Sequence, residues 1–296
     1  MPWYVPVAVR IVTGYAAIPL LLKPLVERYA QATLLLFQFA VCFGLALALA
    51  VAFGQARPDW MIVAVGGANG LAAYCYRKAI AINLSRTSLF AFWDDLLAMG
   101  LSYGLLHEGQ FLNTRSILGI VASVGAVILF TIHSYRKQHP GKDEQDLIPM
   151  RLYLYAGVYS VILGVGVFFM RYWGVQGTSL GTFLVNWYGG VVLAAALLLL
   201  TEPAETQATR TRRPRGDWLR VVGLSLLVLV TMSTAFWAYR LAPQTIVQPL
   251  FLVGEMIAPA LIGLYVFAER EALDRPEQLY FVLGLGGGLL VALSFS

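Results

Sequence analysis

Long apolar runs separated by short polar connections set the pattern of this chain. A helix needs about 20 apolar residues to cross a bilayer. Runs of that size lie near 4–23, 31–53, 60–80, 86–106, 116–134, 152–170, 179–200, 219–239, 244–267 and 277–295. They are continuous rather than alternating in ten-residue segments, which predicts helices and not barrel strands. The first and sixth runs are the weakest, because Arg10 and two prolines interrupt one and glycines dilute the other. A nine-span layout is therefore the alternative. Two connections are long and charged, Tyr135 to Arg151 and Glu202 to Asp217. The expected architecture is an all-α integral membrane protein of ten transmembrane helices. Residues 1–135 form a first five-helix repeat, 136–150 a charged linker and 151–296 a second five-helix repeat.

The two halves align. With an offset of 161, LFAFWDDLLAMGLSYGLLHE at 89–108 lies over LFLVGEMIAPALIGLYVFAE at 250–269, so Asp94 falls on Glu255 and Glu108 on Glu269. Upstream, Tyr76 falls on Trp237, and a weaker match near offset 149 brings Gln38 beside Asn186. Each unit has an odd number of spans, so the second must enter the membrane inverted. Inverted repeats of this kind mark transporters, with substrate bound near the midplane where the halves meet.

Composition supports the membrane reading. The chain is 59% hydrophobic and 12% charged, with a mean hydropathy of +0.71, whereas a soluble domain is about a quarter charged. Its net charge of +5 reports orientation and not nucleic-acid binding. Sixteen of the 21 Lys and Arg fall in the odd-numbered connections, which puts those in the cytoplasm and both termini outside. The Arg210 to Arg215 run reads as a basic cytoplasmic loop, and no cleaved signal peptide is expected. Cys42 and Cys75 lie in apolar runs and read as small hydrophobes. There is no G-x-S-x-G, H-E-x-x-H or Walker loop, so the chain is expected to be neither an ATPase nor an enzyme, without cofactor or metal.

The duplicated pattern resembles the drug/metabolite transporter superfamily, and within it the EamA-like ten-helix carriers. The residues that carry it are two small and aromatic runs ending near Ala79 and Arg240. Each is followed by a polar break, an apolar helix, Glu108 or Glu269, and a last helix bearing Gly119 and Gly125 or Gly284 to Gly288. The resemblance implies a central cavity lined by the first four helices of each half, alternating access, and transport of metabolites or drugs, often outward, in the inner membrane. It also implies cytoplasmic termini, opposite to the charge count. Family members carry a proline where Asp95 and Met256 stand here, and Pro259 is displaced by a turn, so the cavity is specialised.

A carboxylate at mid-membrane costs about 2.5–3.5 kcal/mol on insertion scales, so symmetric acids call for a reason. Asp94 and Glu255 read as an internal ion pair or hydrogen-bonded carboxyl, as binders of a substrate amine, or as proton-coupling groups. Asp94 and Asp95 project about 100° apart on a helix. One at most is expected to face the cavity squarely, with Asp94 favoured and Asp95 paired with Arg10, Arg77 or Lys78, or sharing the proton coupling. Arg10, roughly 9 Å into its span, either snorkels to the interface or holds a substrate carboxylate or phosphate. Gln38, Asn69 and Asn186 are polar at depth, for interhelical bonding or substrate contact. Trp93, Tyr74, Tyr159, Trp187, Tyr188 and Trp237 are the deeper aromatics. Of these, Tyr74, Trp93, Trp187 and Trp237 are candidates to line the site as an alkylammonium cage. The glycines at 66, 67, 70, 189 and 190 read as close helix approach.

The expectation is a secondary active transporter of a small amine-bearing metabolite, cationic or zwitterionic, coupled to protons or working by exchange. Carriage of a neutral polyol, sugar or nucleoside is the alternative, and an intramembrane enzyme a third. The expected partners are a small-molecule substrate and the lipid bilayer, not nucleic acid, for a monomer or homodimer.

Overall fold

The computed structural model describes residues 2–84, 87, 92–137, 150–201, 217–262, 266–267 and 275–294. It is all-helical, 89% helix, with no strand among the described residues. Among the described residues ten long helices follow in order: α1 (Tyr4–Arg28), α2 (Gln31–Ala52), α3 (Trp60–Ile82), α4 (Phe92–Leu105), α5 (Thr114–Lys137), α6 (Met150–Val175), α7 (Leu180–Thr201), α8 (Trp218–Leu241), α9 (Gln244–Leu261) and α10 (Arg275–Leu293). Five of them, α1, α2, α6, α7 and α8, are long and apolar enough to cross a membrane. The two runs expected to be weakest, α1 and α6, are both in that set. Most of the charged linker, the Arg210 to Arg215 run and Glu269 lie outside the described residues.

Local chemistry fixes the helix ends. Asp59 caps α3, its carboxylate accepting from the N–H groups of Met61 and Ile62 at 3.0 and 3.2 Å, two donors that would otherwise have no partner. After α2, Gly54 adopts φ +65°, the left-handed value that glycine takes without strain. Its N–H meets the Val51 carbonyl at 3.1 Å while that of Gln55 meets Ala50 at 2.7 Å, which closes the helix end. Inside α1, residues Ile11–Ala17 widen into a π-helical stretch, a local loosening common near functional sites. Arg10 stands directly before it.

Packing follows the small residues. α3 and α7 meet at a seam where Gly66 faces the Trp187 backbone and Gly190 faces Val63 and Gly67. The expected close approach at 66 and 190 is therefore present. The last helices of the two sequence halves, α5 and α10, are likewise in contact, with Gly119 against Gly287 and Val291. α2 lies on α7, α3 on α6 and α7, α8 on α1 and α2, and α4 and α9 touch each other. Between these layers sits an aromatic core in which Phe183 stacks on Phe236 with centroids 4.3 Å apart.

A side chain at Gly190 would overlap the α3 backbone. Gly190→Leu is therefore expected to destabilise the protein by about 1–3 kcal/mol, read as a lower Tm in detergent. An unchanged Tm would contradict the seam.

Candidate functional site

Six helices converge on one buried polar centre. Asp94 and Asp95 occupy the first turn of α4, where a helix dipole favours negative charge. Glu255 comes from α9, between Pro249 and Pro259. Pro259 has no N–H to give to the Glu255 carbonyl four residues earlier, so the helix is loosened at the acid. The three side chains are buried, Asp94 and Asp95 at 1% exposure and Glu255 at 8%. One carboxylate oxygen from each lies within 4.8 Å of the others.

The repeat match of Asp94 with Glu255 thus corresponds to real proximity. The expectation that only one of the two aspartates would face inward is corrected. Around α4 the site is walled by α1, α3, α6, α8 and α9, and a broad wall accepts both side chains across a 100° arc. Nor does Asp95 pair with the cations named for it. Its Oδ1 accepts from the Gln248 amide, Arg77 donates to Gln38, and the Lys78 ammonium lies 5.1 Å from the Tyr74 ring centroid.

Donors ring the acids on one side. The Tyr159 hydroxyl of α6 donates to Glu255 Oε1 at 2.9 Å, and Tyr76 of α3 stacks on Tyr159 with centroids 4.8 Å apart. The Tyr239 hydroxyl donates to Gln248 Oε1 at 2.6 Å, which orients the amide that holds Asp95. Asp94 Oδ1 and Asp95 Oδ2 have no hydrogen-bond partner. Buried polar atoms are satisfied in the large majority of cases, so two such oxygens side by side mark an incomplete site.

Arg10 faces inward rather than snorkelling. At 9% exposure, it donates to the Tyr15 hydroxyl at 3.1 and 3.3 Å and lies 4.3 Å from the Phe251 ring centroid. It is within electrostatic reach of all three acids, yet it forms no ion pair among the described residues.

The other candidate residues do not gather here. Asn186 of α7 ties down the α2–α3 connection, donating to the Arg57 and Thr182 carbonyls at 2.7 and 2.8 Å and accepting from the Asp59 N–H at 3.0 Å. Gln38 is occupied by Arg77, and Asn69 donates to the Val65 carbonyl at 3.2 Å. Trp187 is core, 1% exposed against Gly66, while Trp93 and Trp237 are exposed at 54% and 43%. The aromatic wall consists instead of Tyr15, Tyr76, Tyr159, Tyr239 and Phe251. Of these, depth in the sequence pointed to Tyr159, and repeat position to Tyr76.

A second buried charge centre was not expected at all. Glu108, 2% exposed, pairs with Arg171 of α6 at 2.6 Å. Its Oε2 accepts the N–H groups of Gln244 and Thr245 at 2.7 and 3.4 Å, capping the start of α9. Arg171 in turn reaches the Tyr239 carbonyl at the end of α8. The only signal in the sequence was the repeat match of Glu108 to Glu269. This cluster anchors the helix that carries Gln248 and Glu255.

The fold has solved counterparts. One structure, known by the words "Crystal structure of protein", superposes with a TM-score of 0.67 over 98% of this chain and 96% of its own, at 17% identity. Neither family models nor curated proteins match the chain. The likeness establishes a shared fold.

Removing one partner of a buried ion pair strands the other, at about 3–5 kcal/mol. Arg171→Met is expected to destabilise by that order, and Glu108→Gln in the same chain to recover part of the loss. Thermal unfolding of the single and double variants measures it, and purely additive losses would contradict the pairing.

Proposed function

We propose that the chain is a secondary active transporter of the EamA-like ten-helix type, multi-pass in the inner membrane. In this reading it moves a small amine-bearing metabolite, cationic or zwitterionic, and not a substrate it chemically alters. The observation that carries the reading is the buried cluster of Asp94, Asp95 and Glu255, with two oxygens unpartnered among the described residues and on its flank the Arg10 guanidinium, which makes no ion pair among them. Acids and a cation so arranged suit the two ends of a zwitterion. A carboxylate that takes either a proton or an ammonium, and not both well, gives exchange by competition.

The neighbour relations support the inverted five-plus-five layout. Replacing each helix by its counterpart five later turns the α3–α6 and α3–α7 contacts into α8–α1 and α8–α2, and maps α2–α7, α4–α9 and α5–α10 onto themselves. A pseudo-two-fold axis has this property, and the acids at the α4–α9 contact sit where such an axis passes. The neutral-substrate alternative has less support, since Gln38, Asn69 and Asn186 each already make a hydrogen bond within the protein.

Uptake of labelled amines and amino acids into proteoliposomes, with and without a pH gradient, tests the proposal. Losing one charged partner costs about 2–5 kcal/mol of binding. Asp94→Asn and Glu255→Gln are each expected to cut transport at least tenfold and to flatten its dependence on the gradient. Full, gradient-dependent transport in both variants would contradict it.

A further inference from the structure

We propose that Asp94, Asp95 and Glu255 form a clamp for a primary ammonium, R–NH₃⁺, each carboxylate accepting one of its three N–H donors. This rests on the carrier reading above and narrows the substrate of the same site. Three oxygens within 4.8 Å of one another share a centre no more than about 2.8 Å from each, the length of a charge-assisted N–H···O bond. A nitrogen with three donors, seated at or just above that centre, is within reach of all three oxygens. A quaternary ammonium presents methyl groups, has no N–H, and needs aromatic faces at larger separation.

A divalent metal fits less well. Mg²⁺ holds oxygens at about 2.1 Å and Ca²⁺ takes six to eight of them, whereas the groups around these acids are donors: the Tyr159 hydroxyl, the Gln248 amide and the Arg10 guanidinium. Donors complete a carboxylate cluster that faces an ammonium, but they compete with a metal for the same oxygens.

The unmet atoms point the same way. Asp95 Oδ1 is taken by Gln248 and Glu255 Oε1 by Tyr159, while Asp94 Oδ1 and Asp95 Oδ2, on side chains 1% exposed, receive nothing. What they lack is hydrogen-bond donors. Arg10 supplies the complementary half. Its Nε and one Nη donate to the Tyr15 phenol and it makes no ion pair among the described residues, so a ligand carboxylate can pair with it and an α-amino acid would use both ends of the site.

Two methylation series test the clamp on the purified full-length protein in lipid nanodiscs. Leucine and butylammonium are each compared with their mono-, di- and trimethylated nitrogen derivatives by calorimetry and thermal shift. A hydrogen bond to a charged group is worth enough that each lost N–H is expected to weaken binding roughly tenfold or more. The trimethylated ligands should bind worst, and leucine should exceed butylammonium if Arg10 engages the carboxylate. In Asp94→Asn the ratio between leucine and trimethyl-leucine should shrink, a readout that does not depend on how well the variant folds.

Equal binding along a series would overturn the clamp and leave the carrier reading standing. Tighter binding of Mg²⁺ or Ca²⁺, with displacement of leucine, would overturn it in favour of a metal site. Binding of neither series would overturn both the clamp and the amine-carrier reading.

Discussion

Three buried carboxyl groups share one small volume in this protein, and the surrounding structure is organised by the need to hold them there. Each would be costly alone in an apolar bundle, and like charges at this spacing repel. Part of the offset is visible. Tyr159 and Gln248 donate to two of the acids, Arg10 lies within electrostatic reach, and the α4 dipole favours both aspartates. Two oxygens remain without donors. A site built with most of its compensation and a localised deficit is one whose last component arrives from outside.

Holding such a site requires rigid neighbours. α9 brings Gln248, Phe251 and Glu255 to the acids in successive turns, although Pro249 and Pro259 weaken its own hydrogen bonding. Its start is secured instead from without, by the Glu108 carboxylate on the first N–H groups and by Arg171, which ties Glu108 to the end of α8. The glycine seams between α3 and α7 and between α5 and α10 serve the same end, bringing backbones close enough for broad contact. Loosened α1 and α9 thus stand between tightly packed pairs.

Much of this was legible in the sequence, for definite reasons. Hydrophobic length located the helices, because a bilayer sets their span independently of any tertiary contact. The match between the two halves of the sequence set Asp94 against Glu255, and the two acids are neighbours in the structure. The companions of the acids were less legible. Asp94 was favoured over Asp95 because neighbouring side chains diverge by about 100° on a helix, whereas both are buried beside Glu255. Trp93 and Trp237 were chosen for their depth, but depth does not say which face of a helix looks inward, and both look outward. Asn186 and Gln38 are polar and buried as expected, yet their partners are a loop backbone and Arg77, contacts with no local signature. Gln248 and Tyr239 form a relay between two helices, readable only once the helices are packed.

The central claim is that the space between Asp94, Asp95 and Glu255 receives the charged nitrogen of a transported ligand. A high-resolution structure of the full-length protein in nanodiscs with saturating leucine tests it most directly. The account predicts density for the ligand nitrogen among the three carboxylates and for its carboxylate at Arg10. Ligand density at another place in the bundle, with the three acids unchanged, would contradict it.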